Sequence, residues 1–89
     1  FTKEGLTLWH YRTQTHLEVD FILENRQGQI CGIEVKASTT VDSKDFKGLR
    51  HLKDTEPAIF KHGIVLYTGR ELLPFGEGLW AVPMSMWLA

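Results

Sequence analysis

The sequence contains a single cysteine, Cys31, so it excludes an internal disulfide and a zinc site built from cysteine thiolates. Cys31 stands inside an apolar segment, where we expect a buried, unreactive thiol. The absence of disulfides fits a reducing compartment, and we therefore predict a cytoplasmic location.

Long apolar runs and a strong excess of one charge are also missing. No stretch approaches the roughly 18 consecutive apolar residues of a membrane-spanning helix, so we expect no membrane partner. Ten Lys and Arg against eleven Asp and Glu give a formal net charge of −1. This excludes the overall basic character of many non-specific nucleic-acid binders, although a local basic patch stays compatible with it.

The size and composition predict one small globular domain. The chain has 89 residues, of which 43% are hydrophobic and 24% charged, the balance of an ordinary soluble fold. It shows no signal-peptide pattern and begins with Phe1 instead of Met. We therefore expect residues 1–89 to be a single domain and a C-terminal fragment of a larger protein.

The first half of the sequence alternates between apolar and polar residues and predicts three strands. These strands are residues 6–12, 16–24 and 29–37. Asn25 and Gly28 favour a turn between the second strand and the third. The short connections predict a three-stranded antiparallel meander.

The segment 41–54 changes to the period of a helix. The apolar residues on one side of this helix are Phe46, Leu49 and Leu52. Asp42 or Ser43 can serve as N-cap, whereas Lys44, Lys47 and His51 project from the opposite side.

The rest of the sequence completes an α/β fold. Residues 62–69 are almost wholly apolar and predict a buried central strand. Residues 70–78 contain proline and glycines and predict a loop, and residues 79–83 predict a short last strand. A turn of helix is expected after Pro83. The sequence therefore predicts the antiparallel meander followed by a helix and a strand in a mixed sheet.

The second hairpin holds charged residues between its apolar ones. Strict alternation puts Val19, Phe21 and Leu23 on one face and Asp20 on the other, together with Glu18 and Ile22. In the next strand, Glu34 and Lys36 oppose Ile33 and Val35 in the same way.

Two pairing registers of this hairpin keep the apolar residues on one face. Paired residue numbers add up to 54 or to 52. A sum of 54 places Asp20 opposite Glu34, and Glu18 opposite Lys36. Facing carboxylates cost roughly 0.2–1 kcal/mol as a cross-strand pair, so an offsetting charge is expected.

Two interpretations of the acidic pair stay open. A divalent cation such as Mg²⁺ favours carboxylate oxygens, so Asp20 and Glu34 are candidate metal ligands. Lys36 is then suited to stabilise charge during phosphodiester cleavage. The other interpretation is a partly exposed sheet face with ordinary ion pairs.

The motifs "EVDF" and "IEVKAS" resemble the Asp…Glu-x-Lys signature of the PD-(D/E)XK nuclease superfamily. The resemblance implies a metal held by Asp20 and Glu34 and a catalytic role for Lys36. It implies Mg²⁺ as cofactor, with Mn²⁺ as a substitute, and DNA as a partner. It also implies a restriction-endonuclease-like core.

The chain from about Leu8 onward is similar to the uncharacterised C-terminal domain that follows AAA-type ATPase modules in many bacterial and archaeal proteins. Arg12 and Glu18 match residues typical of that domain. The resemblance implies an upstream ATPase domain as partner, which alone would use ATP. It also implies a first core helix before the first strand, often bearing another acid. Only five residues precede Leu6, so we expect that helix to lie outside this fragment.

Further candidates for phosphate or DNA binding are Arg12, Ser38, Lys44 and Lys47. Arg12 is favoured to pair with Glu18 across the first hairpin, although it could contact phosphate. Ser38 can bind phosphate or act as a turn residue, and the two lysines can line a phosphate-binding face or a solvated one. His16 is a candidate ligand if its strand is regular.

The sequence therefore supports two hypotheses. The first is a nuclease-like domain of an ATPase protein that hydrolyses DNA phosphodiesters with a metal. The second is a catalytically inactive module with the same fold that binds DNA or docks onto the ATPase.

Overall fold

One mixed sheet runs through the molecule. The computed structural model describes the backbone of residues 2–3, 6–12 and 18–87 and the side chains of residues 19–87. The elements are β1 Thr2–Lys3, β2 Leu6–Arg12, β3 Glu18–Glu24, β4 Ile30–Val35, a 3-10 turn Ser43–Phe46, α1 Lys47–Thr55, β5 Phe60–Tyr67, β6 Leu73–Gly76, β7 Leu79–Pro83 and α2 Met84–Trp87. The described strands pair in the order β1-β2-β3-β4-β5-β7-β6.

The pairing directions confirm the predicted α/β architecture. Strands β2, β3 and β4 form the antiparallel meander. The chain then crosses through α1 and returns as β5, parallel to β4, and β7 lies parallel to β5 on its other side. The expected first core helix lies outside the described residues. The restriction-endonuclease-like assignment stays a prediction.

The predicted loop over residues 70–78 is wrong in part, because this segment contains β6. β6 pairs antiparallel with β7 at the edge of the sheet. Leu73 and Phe75 are half-buried and pack against the core, whereas Pro74 between them is exposed. A proline is tolerated on an edge strand because its missing N–H costs no ladder hydrogen bond there. The expected turn of helix after Pro83 is confirmed as α2.

The core lies between the sheet and α1. Phe46, Leu49 and Leu52 are at most 1% exposed, which confirms the predicted apolar side of the helix. Asp42 caps the 3-10 turn that leads into α1: its side chain accepts a hydrogen bond from the Lys44 amide. None of the described helices is both long enough and apolar enough to cross a membrane.

The β3–β4 pairing follows the register whose residue numbers add up to 54. It runs from Phe21 opposite Ile33 to Glu24 opposite Ile30. The Asn25 side chain closes the turn between the strands by accepting hydrogen bonds from the Gln27 and Gln29 amides. This is one of the two registers that the sequence allowed, and the structure excludes the other.

The prediction that side chains alternate strictly between the two faces along β3 is wrong. Against β2, Ile22 pairs with Trp9 but Val19 pairs with Tyr11, so β3 carries one extra residue between them. This is a β-bulge at Asp20 and Phe21. As a result Val19 and Ile22, three positions apart, are both 1% exposed and both belong to the core.

Gly32 in β4 lets α1 lie close to the sheet. A Cβ added there would be 2.7 Å from Leu49 Cδ2 and 3.0 Å from Leu52 Cδ2. Both leucines are buried, so neither can swing away without displacing its neighbours.

We predict that Gly32→Ala lowers the free energy of unfolding by about 1–3 kcal/mol through overpacking. Urea denaturation measures the change. We also expect the double variant Gly32→Ala with Leu49→Ala to lose less unfolding free energy than the sum of the two single losses. The reason is that truncation of Leu49 removes the atom that a Cβ at residue 32 would contact. Additive losses would show that the α1–sheet contact does not restrict residue 32.

Candidate functional site

The acidic pair predicted from the sequence meets where the β3–β4 ladder ends. The Asp20 amide donates a hydrogen bond to Glu34 Oε1 at 3.2 Å. In return, the Val35 amide donates to Asp20 Oδ2 at 2.8 Å. Each carboxylate thus accepts from the backbone of the other strand, and both acidic side chains occupy one place on the sheet.

The bulge in β3 explains this geometry. The Cα pairing of β3 with β4 ends at Phe21 and Ile33, so Asp20 is not a regular partner of Glu34 as the register alone predicted. A bulge re-aims the side chain that it carries and interrupts the local ladder. The two carboxylates replace the backbone acceptors that a regular pair would supply here. The end of the regular β3–β4 pairing and the position of the acidic pair therefore have the same cause, the bulge.

Lys36 follows directly after β4 and forms an ion pair with Asp45, with Nζ 2.6 Å from Oδ2. Its own amide donates to the Leu66 carbonyl oxygen at 2.8 Å, which extends the pairing of β4 along β5. The sequence predicted Glu18 as the residue opposite Lys36. The Glu18 side chain lies outside the described residues, and the described partner of Lys36 is Asp45.

Asp45 contacts the candidate site although the sequence did not predict it there. Its carboxylate accepts from the Asp42 amide at 2.8 Å and completes a capping box with the Asp42 side chain. The spacing of Asp42 and Asp45 was the available signal, since a capping box needs an acceptor three residues after the N-cap. Its contact with Lys36 depends on the tertiary fold and could not be found in that way.

The surroundings of Asp45 favour its ionised form. Partial burial raises the pKa of its carboxyl, but the hydrogen bond from Lys36, the Asp42 amide and the charges of Lys36 and Lys44 outweigh this effect. The pKa of Asp45 is therefore held below its ordinary value.

The donor set at the acidic pair fits a hard divalent cation. Asp20 and Glu34 supply carboxylate oxygens at one place on the sheet. Mg²⁺ is commonly bound through one or two carboxylates, with water and substrate phosphate as its other ligands. Within the described residues, no group of three or more His, Cys, Asp or Glu side chains has metal-binding geometry. Among the side chains that the structure describes, a cation here would have Asp20 and Glu34 as its ligands.

The other predicted site residues are spread over the surface. Ser38 Oγ accepts from the Thr40 amide at 3.1 Å and lies 3.2 Å from Thr40 Oγ1, as a turn residue does. Lys44 and Lys47 are exposed, as predicted. Residue 12 faces residue 18 across β2 and β3, which matches the predicted pairing of Arg12 and Glu18 at the level of the backbone. The side chains of residues 12 and 18, and the whole of His16, lie outside the described part.

Arg50 and Lys53 of α1 hold the last hairpin, which the sequence did not predict. Arg50 donates to the carbonyl oxygens of Ser43 and Phe75 at 2.8 and 3.0 Å, and Lys53 Nζ donates to the Glu77 carbonyl oxygen at 2.7 Å. The Phe75 ring stacks on the Phe46 ring with centroids 4.6 Å apart. These contacts join α1 to residues 24 and 25 positions further along the chain, so no local sequence pattern predicts them.

Cys31 lines a cleft of about 330 Å³ at the opposite end of β4. Burial raises the pKa of its thiol to about 11, so the thiol stays protonated at neutral pH. Cys31 is half-buried and not fully buried as predicted, but the raised pKa supports the unreactive thiol predicted from the sequence.

The fold and the acidic pair define a small α/β domain with a mixed sheet and two carboxylates at the end of its antiparallel meander. The chain belongs to the family described as "Domain of unknown function (DUF4143)", whose model matches residues 1–87. No curated protein and no solved structure matches it significantly.

We predict that Asp45→Asn lowers the free energy of unfolding at neutral pH by about 0.5–1.5 kcal/mol, because Lys36 loses a charged, partly exposed partner. The amide oxygen can still accept from the Asp42 amide. Because the folded-state pKa of Asp45 is lowered, its contribution is complete above the unfolded-state pKa of about 4 and is lost as the pH falls through the lowered value. Urea denaturation between neutral pH and acid measures this.

Asp54→Asn is the control, since Asp54 is an exposed acid near the end of α1, the helix that follows Asp45. A difference between wild type and Asp45→Asn that persists unchanged in strong acid would contradict the ion pair as its cause.

We expect the thiol of Cys31 in the folded protein to react with iodoacetamide at pH 8 about 100-fold more slowly than in the unfolded chain. The pKa of about 11 lies two units above the ordinary value of 9.0, and the thiolate is the reactive form. Mass spectrometry of alkylated protein with and without urea measures both rates. Equal rates would show that Cys31 is accessible and ionised in the fold.

Proposed function

We propose that this protein is a nuclease-like domain in which Asp20 and Glu34 hold a divalent cation and Lys36 assists the hydrolysis of a DNA phosphodiester. The observation that supports the proposal is the reciprocal hydrogen bonding at 3.2 and 2.8 Å, which gathers both carboxylates at one place. The resemblance of the same three residues to the PD-(D/E)XK signature adds to it. The cation of the proposal is Mg²⁺, with Mn²⁺ as a substitute.

The backbone hydrogen bonds fix the direction of the two carboxylates. Because the Val35 amide holds one oxygen of Asp20 and the Asp20 amide holds one oxygen of Glu34, neither side chain has to be ordered when a ligand arrives. A cation bound there lowers the pKa of a coordinated water and neutralises charge on phosphate oxygens. The protein supplies the preorganised acidic pair.

Lys36 is the positively charged residue of the proposal. It lies two residues beyond Glu34, and its side chain is 33% exposed, so the ammonium is accessible to a phosphate from solvent. The hydrogen bond to Asp45 holds the ammonium of Lys36 in one direction. The Lys36 side chain therefore has few other orientations to lose when it binds a phosphate. In the proposal, Lys36 binds a phosphate oxygen and stabilises the charge that develops during cleavage.

An inactive module with the same fold is the second candidate, and one observation favours it. Asp45 already neutralises the ammonium of Lys36 at 2.6 Å, and both carboxylates already accept backbone hydrogen bonds. These groups therefore have a structural use that needs no ligand. Such a module would bind DNA or dock onto an ATPase domain.

The partner in both versions of the proposal is an AAA-type ATPase module upstream in the same full-length protein. The resemblance of the segment from Leu8 onward supports this partner. ATP would be bound by that module.

Amide variants test the cation site without breaking the fold. Asp20→Asn and Glu34→Gln each keep an oxygen that can accept the backbone hydrogen bond but remove the negative charge. We expect calorimetric titration with Mn²⁺ to show binding to the wild type and at least a tenfold loss of affinity in each variant. Glu24→Gln is the matched control, because it removes one carboxylate from the far end of β3.

Cleavage is measured on supercoiled plasmid DNA with Mg²⁺ or Mn²⁺. We expect nicking by the wild type and by Glu24→Gln, none by Asp20→Asn, and a rate about 100-fold lower for Lys36→Gln at unchanged Mn²⁺ affinity. Equal Mn²⁺ heats in all variants, with no nicking by the wild type, would leave the inactive module as the function.

A further inference from the structure

A cleft of about 330 Å³ opens at the carboxyl ends of β4 and β5. Thr39 and Thr40, which follow β4, form one wall, and Arg70 and Glu71, which follow β5, form the other. The connection after β4 leads to α1, whereas the connection after β5 leads to β6 at the sheet edge. In α/β sheets, ligands bind outside the carboxyl ends of the strands, and this cleft lies at that side of β4 and β5.

The cleft is continuous with the segment that carries Lys36. The Lys36 amide donates to the Leu66 carbonyl oxygen at 2.8 Å, and the Thr68 amide donates to the Ser38 carbonyl oxygen at 2.9 Å. These two hydrogen bonds hold the segment after β4 along the end of β5. The first threonine of the cleft therefore lies three residues beyond Lys36 in an ordered segment.

The base of the cleft is apolar and held in place. Tyr67, which is 2% exposed, lines it together with Val41 and Leu73. The Tyr67 hydroxyl donates to the Glu71 carbonyl oxygen and so fixes the far wall. Gly69 packs against the Tyr67 ring, and a Cβ at that position would lie 2.9 Å from the Thr39 carbonyl oxygen. The two walls are therefore in close contact, and the cleft is preformed.

The charged groups of the cleft differ from those around it. Arg50 and Lys36 both bind groups of the protein itself. Arg70 is exposed, and no ion pair or hydrogen bond of its guanidinium is found among the residues that the structure describes. A guanidinium with its donors still available, next to threonine hydroxyls, suits a phosphate group.

We propose that this cleft binds one sugar–phosphate unit of a nucleic-acid strand, with Arg70 on the phosphate and Thr39 beside it. The apolar base formed by Val41, Tyr67 and Leu73 then contacts the sugar or base. The volume is at the low end of the roughly 300–1,000 Å³ of small-ligand sites, which fits a single unit of the strand. The identity of the ligand as nucleic acid rests on the proposed function.

Glu71 gives the proposal a second, opposite test. Its exposed carboxylate lines the same cleft and repels an anion. Removing the charge of Arg70 should therefore weaken binding, and removing the charge of Glu71 should strengthen it. Both side chains are on the surface, so neither substitution should affect folding.

The experiment measures fluorescence anisotropy of a short labelled single-stranded DNA in EDTA at low salt. We expect Arg70→Gln to weaken binding about tenfold and to lower the slope of log K against log salt by about one. Glu71→Gln should strengthen binding about threefold. Arg26→Gln, which removes an exposed arginine from the turn at the other end of β4, should change the affinity less than twofold.

Equal affinities of Arg70→Gln and Arg26→Gln would overturn the proposal, as would unchanged or weaker binding by Glu71→Gln or no binding by the wild type. Binding of a free mononucleotide with the expected charge dependence, but no binding of the strand, would also overturn it.

EDTA separates this test from that of the proposed function, because binding is then measured without divalent cations. Asp20→Asn should retain the affinity of the wild type for the strand in EDTA. If strand binding follows the charges of Arg70 and Glu71 but no Mn²⁺ binding or nicking occurs, the cleft stands and the nuclease proposal fails. If the wild type nicks DNA but Arg70→Gln leaves strand binding unchanged, the nuclease proposal stands and the cleft fails.

Discussion

The candidate site depends on one local constraint, the extra residue in β3. Because Asp20 and Phe21 together oppose a single residue of β2, Val19 and Ile22 can both enter the core. The same irregularity ends the regular pairing with β4 and leaves amides of both strands to be satisfied by side chains. A buried or half-buried amide without a partner is costly, so carboxylates at these two positions have a reason to be there even before any ligand is considered.

This double use of the acidic pair connects stability with chemistry. A carboxylate that accepts a backbone hydrogen bond is already oriented before a ligand arrives. Lys36 likewise has two uses, because it joins the end of β4 to the capping box in front of α1 while its ammonium stays partly exposed. A ligand would therefore meet groups whose directions are set by the fold.

Most of the architecture could be predicted from the sequence because it follows periodicity and turn residues. The meander and the helix with its buried residues Phe46, Leu49 and Leu52 were found in this way, and the sum-54 register was one of the two that the apolar pattern allowed. The bulge was not, although the consecutive apolar residues Phe21, Ile22 and Leu23 interrupt the alternation, because strict alternation left Ile22 on the polar face. β6 was not predicted because Pro74 and Gly76 indicate a loop. The segment is nevertheless a strand, which pairs with β7 and stacks Phe75 on Phe46. Of the site, the positions of Asp20 and Glu34 came from the motif, but the Lys36–Asp45 contact required the tertiary structure.

The contacts of α1 with the last hairpin affect how the domain opens. Arg50 and Lys53 span 25 and 24 residues of sequence to reach the carbonyl oxygens of Phe75 and Glu77. Edge strands usually fray first, and their amides then exchange hydrogen with solvent independently of the interior. Here separation of the edge requires the helix to release two cationic side chains and an aromatic stack. Slow local fluctuations at the sheet margin should therefore be coupled to those of the helix, so that the two behave as one cooperative unit.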